Sequence, residues 1–239
     1  MSSARFVLLS LCSTLLLRAA LGAIPLFHIC SNPENFTANS PYEYNLNNLT
    51  SFLYIKTPSS GFGLGSIGQH QDQVYGLALC RGDLSSSECN ACVADAGAEI
   101  QRRCPRNKGA IIWYDECMFK YLNADFFGQI DKANKFSLWN PDNASDPALF
   151  NRKVRKMMTW LAKAASSTPR LFAVGEKGVN KTKLYGMVQC TRDLSAAKCK
   201  ACLKGAIGGL LSCCDGKVGG RVAGGSCNIR YEIYPFVNV

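Results

Sequence analysis

A C-x8-C-x2-C pattern at Cys80, Cys89 and Cys92 returns 110 residues later as Cys190, Cys199 and Cys202. The same offset lays Tyr75-Gly76 on Tyr185-Gly186, Asp83-Leu84-Ser85 on Asp193-Leu194-Ser195, and Ala91 on Ala201 without a gap. It also carries Cys104 onto Cys214, Gly109 onto Gly219, Cys117 onto Cys227 and Tyr121 onto Tyr231. Ungapped identity of this extent marks two copies of one fold rather than a chance motif. About 100 residues per copy lies within the usual size of a domain.

Residues 1–23 read as a secretory signal peptide: Arg5 in a charged n-region, an apolar run from Phe6 to Leu17, then Ala19, Ala20, Gly22 and Ala23 around a cleavage point. The run is too short to span a bilayer, and no later stretch approaches about 18 uninterrupted apolar residues. A soluble, secreted, extracellular chain without a membrane span is therefore expected. Cys12 leaves with the signal, so 12 of the 13 cysteines remain. An even count behind a signal peptide implies a disulfide framework, because small secreted domains bury too little apolar surface to rely on packing alone. Sequons at Asn35, Asn48, Asn143 and Asn180 are candidate glycosylation sites in the same compartment.

The net charge of +10 is divided unevenly. Residues 24–134 hold 8 Lys/Arg against 11 Asp/Glu, or −3, and residues 135–239 hold 17 against 6, or +11. A basic second copy attracts polyanions, and for a secreted protein an acidic cell-wall polysaccharide is a more accessible partner than nucleic acid. The other reading of the imbalance is solubility together with attraction to the acidic first copy.

Each copy predicts two helices and several short strands. Asp146-Pro147 supplies an N-cap and a first-turn proline, followed by Phe150, Val154, Met157 and Leu161 on one helical face. In the first copy the counterpart spans about Tyr42 to Lys56, with Leu46, Leu49 and Leu53 as its stripe. A second helix follows each Asp-Leu-Ser: Ser85 and Glu88 form a capping box, whereas Lys198 replaces the glutamate after Ser195 and leaves only the cap. Residues 73–79, 110–114 and 183–189 read as strands. An antiparallel sheet with two helices on one face is the economical α+β arrangement. The boundaries that follow are 24–125 and 146–239 for the two domains, with 126–145 as a linker.

Cys-x-x-Cys at a helix start can be a redox pair, because a helix N-terminus lowers a thiol pKa. The additional cysteines of each copy supply enough partners for structural bridges instead, and a secreted context favours them. Only His28 and His70 are present to support a zinc site, so no metal or cofactor is expected. Nor is there a nucleophile beside a base or a Gly-rich phosphate loop, so the chain reads as no enzyme.

The C-x8-C-x2-C repeat joins Trp113-Tyr114-Asp115-x-Cys117 in the first copy. The second has Cys213-Cys214-Asp215-Gly216-Lys217-x-Gly219-Gly220-Arg221 and Cys227-Asn228-x-Arg230-Tyr231-Glu232-x-Tyr234-Pro235-Phe236. Through these motifs nearly the whole mature chain resembles plant cysteine-rich repeat secretory proteins with two gnk2-homologous (DUF26) domains. The same build occurs in ginkbilobin and in ectodomains of cysteine-rich receptor-like kinases and plasmodesmata-located proteins.

The resemblance implies bridges Cys30–Cys104, Cys80–Cys89 and Cys92–Cys117 in the first copy, and Cys190–Cys199 and Cys202–Cys227 in the second. Cys214 then lacks its partner, and Cys213 is the only other thiol. Adjacent Cα atoms lie about 3.8 Å apart, below the usual disulfide range, so two buried thiols are the milder expectation and a vicinal bridge the strained one.

The resemblance also implies a sugar site. Ginkbilobin, an antifungal lectin with one such domain, binds mannose through an Asn, an Arg and a Glu at fixed offsets from its cysteines. The same offsets reach Ser31, Ile111 and Leu122 in the first copy, whose site reads as lost although Asn32 is adjacent. In the second copy they reach Arg221 and Glu232, while Asn140, counted back from Phe150 because no cysteine precedes it, is the candidate amide. An amide, a guanidinium and a carboxylate can together meet hydroxyls that both donate and accept. The alternative is a plain ion pair between Arg221 and Glu232 on neighbouring strands. Trp139, Tyr231 and Tyr234 could stack on a sugar ring or serve core and interdomain packing. The function implied is a secreted, non-enzymatic module that binds a mannose-containing glycan or acts in extracellular stress and defence signalling. The alternatives are pairing with receptor-kinase ectodomains of the same build, and a cationic antifungal action on membranes.

Overall fold

The computed structural model describes residues 23–179 and 182–238; the expected signal peptide, Ala23 apart, and the sequon residue Asn180 lie outside the described residues. The first repeat runs β1 (Phe27–Cys30), α1 (Pro41–Lys56), β2 (Phe62–Ile67), β3 (Val74–Cys80), α2 (Ser86–Arg103), β4 (Gly109–Trp113) and β5 (Cys117–Leu122). The second runs β6 (Lys135–Trp139), α3 (Pro147–Ser166), β7 (Phe172–Val179), β8 (Thr182–Cys190), α4 (Ala196–Cys213), β9 (Gly220–Gly224) and β10 (Cys227–Glu232). Each builds a five-stranded antiparallel sheet, in the orders β1-β4-β5-β3-β2 and β6-β9-β10-β8-β7. The orders are the same once the repeat is allowed for.

The stretch read as a linker carries β6, which pairs with β9 from Lys135↔Gly224 to Trp139↔Gly220. Its alternating Lys-Phe-Ser-Leu-Trp gave no continuous apolar signal, and it is an edge strand, which explains why its pattern was faint.

Caps start the helices where the sequence placed them. Ser40 accepts from the Glu43 amide ahead of α1, and Asp146 accepts from the Leu149 amide ahead of α3 at 2.9 Å, each before a proline. Ser85 and Glu88 close a full capping box on α2. Ser195 accepts from Lys198 N, so α4 has a one-sided cap.

In each repeat both helices pack on one face of the sheet. Leu46, Leu49 and Leu53 of α1 meet Ala96 and Ile100 of α2 and Phe119 of β5, while Met158 and Leu161 of α3 meet Leu203 of α4 and Ile229 of β10. The repeated Tyr-Gly has a physical reason here. A Cβ on Gly76 would stand 2.8 Å from Leu49 Cδ2, and one on Gly186 would strike Met158 Cε, so the glycine is where helix and strand cross most closely.

Alternate residues of the first sheet point the other way, and they too are buried. Leu77, Leu79, Ile111, Trp113 and Met118 cluster with Phe136 and Ala223 of the second repeat. Trp113 Nε1 donates to the Gly224 carbonyl at 3.2 Å and Gln189 Nε2 to the Cys80 carbonyl at 2.9 Å. A Lys120–Asp131 ion pair at 2.7 Å, with side chains 6% and 8% exposed, fastens the chain between the repeats against the first sheet.

The bridges are Cys30–Cys104, Cys80–Cys89, Cys92–Cys117, Cys190–Cys199 and Cys202–Cys227, the pairings the resemblance implies. Cys213 and Cys214, expected as buried thiols, are joined to each other, with Cα atoms 3.8 Å apart. The position equivalent to Cys30 falls near Trp139 and holds no cysteine, and among the described residues Cys214 is bonded to its neighbour Cys213.

Candidate functional site: a polar cleft where the repeats meet

The second sheet turns a polar face towards the first repeat. Along β10 the buried Cys227, Ile229 and Tyr231 point into the helical core, which sends Asn228, Arg230 and Glu232 to the opposite face. On β9, Arg221 lies directly opposite Arg230 in the antiparallel register. Two like charges so placed repel. Asp115, from the turn between β4 and β5 of the first repeat, resolves the conflict: its Oδ1 accepts from Arg221 Nη1 at 2.5 Å and from Arg230 Nη1 at 3.2 Å.

Arg221 is further held by the Asn228 side chain at 3.2 Å and the Tyr114 carbonyl at 3.4 Å. Its side chain is 7% exposed, whereas that of Asp115 is 42% exposed. Burial, with Arg230 alongside, draws the guanidinium down to about 10 while Asp115 pulls the other way, so it remains charged at neutral pH. Glu232 takes a contact from Arg230 Nε at 3.2 Å through Oε1. Its Oε2 is buried and finds no hydrogen-bond partner among the described residues. Burial raises the Glu232 carboxyl above its ordinary range, against the opposing pull of Arg230 and of the neighbouring Tyr234 hydroxyl. Gly219 lies directly beneath it, and a Cβ there would force the Glu232 carboxylate to move.

Asn140, Arg221 and Glu232 line one open cleft of about 300 Å³, together with Trp139, Tyr234, Arg230 and Asp115. Asn140 is anchored by its amide to the Gly219 carbonyl at 3.0 Å, and its Oδ1 accepts from the Asp142 amide at 2.9 Å, leaving Nδ2 as the end of the amide available to a ligand. Trp139 and Tyr234 are exposed at the rim, while Tyr231 is buried in the core with its single hydroxyl proton shared between the Cys214 and Lys217 carbonyls. The expected alternative, a direct Arg221 to Glu232 pair, does not form. Each charge takes a different partner because Arg230 stands between them. In the first repeat Ile111 is buried in the interface between the repeats, and the Asn32 side chain is taken up, its Nδ2 donating to Asn123 Oδ1 and its Oδ1 accepting from the Glu34 amide. Sequence reasoning missed Asp115, Asn228 and Arg230 as members of the site, although all three stand inside the motifs that carried the resemblance.

The cleft cannot hold a metal through histidine, and the single His/Cys grouping among the described residues, His28 with Cys30 and Cys104, has its sulfurs committed to a bridge. No helix among the described residues is long and apolar enough to cross a membrane.

Fold and site together define a tandem of disulfide-braced DUF26 repeats with one polar cleft at the junction. The chain belongs to the salt stress response/antifungal family, whose model matches residues 29–124 and 139–234. It is 54% identical over 237 residues to an antimicrobial ginkbilobin-2-like protein of Castanea crenata, covering 99% of this chain and 97% of that one. It is 56% identical over 215 residues to cysteine-rich repeat secretory protein 38 of Arabidopsis thaliana, covering 89% and 85%. Among solved structures it resembles the tandem DUF26 ectodomain of the Arabidopsis thaliana cysteine-rich receptor-like protein PDLP8, with a TM-score of 0.80 at 27% identity over 90% of this chain and 100% of that one. The PDLP5 ectodomain matches with a TM-score of 0.73 at 26% identity over 89% and 100%.

Proposed function

We propose that the protein is secreted, performs no turnover, and recognises a polyhydroxylated ligand of the mannose type in the junction cleft. The observation that carries this reading is a cleft lined together by Glu232, Asn140 and the exposed Trp139 ring, in which Glu232 Oε2 lies buried beside Gly219 without a hydrogen-bond partner among the described residues. A carboxylate oxygen left unsatisfied costs free energy, which a turn of the Glu232 side chain into the cleft would recover through a sugar hydroxyl that donates to it. Arg221 enters this reading in a changed role: three of its donor contacts are already spent, so it positions Asp115 and Asn228 and offers the ligand only an edge. The leader expected from the sequence, the bridges and the names of the relatives support an extracellular setting.

Isothermal titration with methyl α-mannoside and a mannose-terminated glycan array test the reading on the oxidised protein. Glu232→Gln and Trp139→Ala should each weaken binding about tenfold or more, as expected for a hydrogen bond to a charged group and for an aromatic contact. Affinity unchanged in both variants would eliminate the cleft.

A second reading, association with ectodomains of the same build, is favoured by an exposed apolar strip on α1. Tyr44 and Ile55 lie on one helical face and are among the most exposed large hydrophobic residues. The sequon residue Asn48 lies on that face between them, so a glycan there would cover the strip. Loss of association in Tyr44→Ser with Ile55→Ser, and its gain in Asn48→Gln, is the pattern this reading requires.

A further inference from the structure

The two helical layers are built alike and charged oppositely. Helices α1 and α2 carry Glu43, Glu88, Asp95 and Glu99 against three cations, whereas α3 and α4 contain no acidic residue at all. On α3, Arg152, Arg155, Lys156 and Lys163 are exposed, Lys153 is half-buried, and none of the five takes part in a salt bridge among the described residues. Helix α4 adds the exposed Lys200 and Lys204, while Lys198 is turned onto the Gly128 carbonyl at 2.6 Å. Like charges at helical spacing of three and four destabilise the helix that bears them, so an isolated solubility role would be served at lower cost by interspersed signs.

Trp160 stands in the middle of this field. It is 61% exposed, the most exposed tryptophan, and it lies one turn from Lys156 on one side and from Lys163 on the other. Its ring is not loose: a Cβ at Gly175 of β7 would be 3.1 Å from Trp160 Cζ3, so the indole rests on the bare glycine backbone. Alongside, Asn151, Arg152, Arg155, Lys156 and Thr159 line a shallow trough of about 630 Å³. A seated aromatic plate flanked by cations, with a basic trough beside it on the same helix, suits a chain of pyranose rings that each offer an apolar C–H face and bear a carboxylate.

We propose that the α3 face, centred on Trp160 with Arg152, Lys156 and Lys163, is a second binding surface whose occupant is an acidic polysaccharide of uronate units, the ring stacking on Trp160 and the carboxylates meeting the cations. Charge complementarity selects an anion, and the seated tryptophan selects a pyranose over a polyanion without rings. Inserting into a membrane would require an apolar helical face at the surface, and the apolar stripe of α3, from Phe150 to Leu161, is buried in the core. The surface is independent of the junction cleft.

The test is affinity of the full oxidised chain for de-esterified polygalacturonate, compared with poly-glutamate of matched charge, fully methyl-esterified pectin, double-stranded DNA and vesicles containing phosphatidylserine. The expected result is binding to polygalacturonate that weakens as salt is raised, and at least about tenfold weaker binding to the other four. Trp160→Ala should remove about tenfold from polygalacturonate affinity and leave poly-glutamate affinity unchanged. Arg152→Gln with Lys156→Gln and Lys163→Gln should abolish both and flatten the salt dependence. All four positions are exposed, so the melting temperature should hold. Glu232→Gln should bind polygalacturonate as the unmodified protein does, which separates this surface from the cleft. Equal affinity for polygalacturonate and poly-glutamate, indifference to Trp160→Ala, or preference for DNA or vesicles would each overturn the proposal.

Discussion

Asp115→Asn is expected to be among the most damaging single substitutions at the surface of this protein, although the residue is 42% exposed and belongs to neither core. The change keeps the shape and removes the one carboxylate that separates Arg221 from Arg230, which face each other across β9 and β10. Removing one member of a buried pair costs about 3–5 kcal/mol, because the remaining charge has lost its compensation. Arg221, at 7% exposure, meets that condition, while water reaching Asp115 lowers the expected loss to about 2–3 kcal/mol. For a chain of this size that corresponds to a fall in melting temperature of about 4–12 °C. Circular dichroism melts at neutral pH measure it directly. Adding Arg221→Met to Asp115→Asn should restore most of the loss, since an apolar side chain has no charge to strand. Melting of Asp115→Asn within about 1 °C of the unmodified protein, or simple additivity of the two changes, would refute the account of Asp115 as the junction's counter-charge.

The Lys120–Asp131 pair supplies a pH test. Burial pushes the Asp131 carboxyl up, but Lys120 and Asn134 hold it, on balance, below the ordinary range. A carboxylate whose folded value lies below an unfolded value of about 3.9 contributes fully above about pH 5 and loses its contribution as pH falls through the folded value. Lys120→Met should therefore cost about 3 kcal/mol at neutral pH and progressively less in acid, and a constant difference in urea titrations from pH 7 to pH 2.5 would contradict this. The bridges give the other test. By chain entropy, opening the Cys30–Cys104 loop, 74 residues apart in sequence, should cost about 4 kcal/mol, and opening Cys80–Cys89 about 3 kcal/mol. The second repeat has no bridge equivalent to Cys30–Cys104, since Cys214 is joined to its neighbour. Hydrogen exchange under mild denaturant should accordingly open α3 and α4 before α1 and α2, and the reverse order would be incompatible with that reasoning.

Much of the molecule is written in short-range pattern. The spacing of Cys80, Cys89 and Cys92 and its recurrence announce two copies of one framework, Asp146-Pro147 and Ser85 with Glu88 start helices by chemistry confined to a single turn, and the stripes of α1 and α3 name their own buried faces. Caps, turns and amphipathic stripes depend on neighbours within a few residues, so the sequence alone suffices for them. Arg221 and Glu232, named by their offsets from cysteines, and Asn140, counted back from Phe150, line one cleft in the structure.

Asp115 as the counter-charge between Arg221 and Arg230, the stranded Glu232 Oε2, the place of β6 at the sheet edge and the seat of Trp160 on Gly175 were decided by tertiary structure. Each arises where one sheet face or helix meets a surface far away in the chain, and periodicity cannot say which surface that will be. One hint was present: residues 110–113 are apolar without alternation, as in a strand covered on both faces. What covers the second face is the other repeat, and the cleft exists only because the polar face of one sheet is presented to the charged turn of the other.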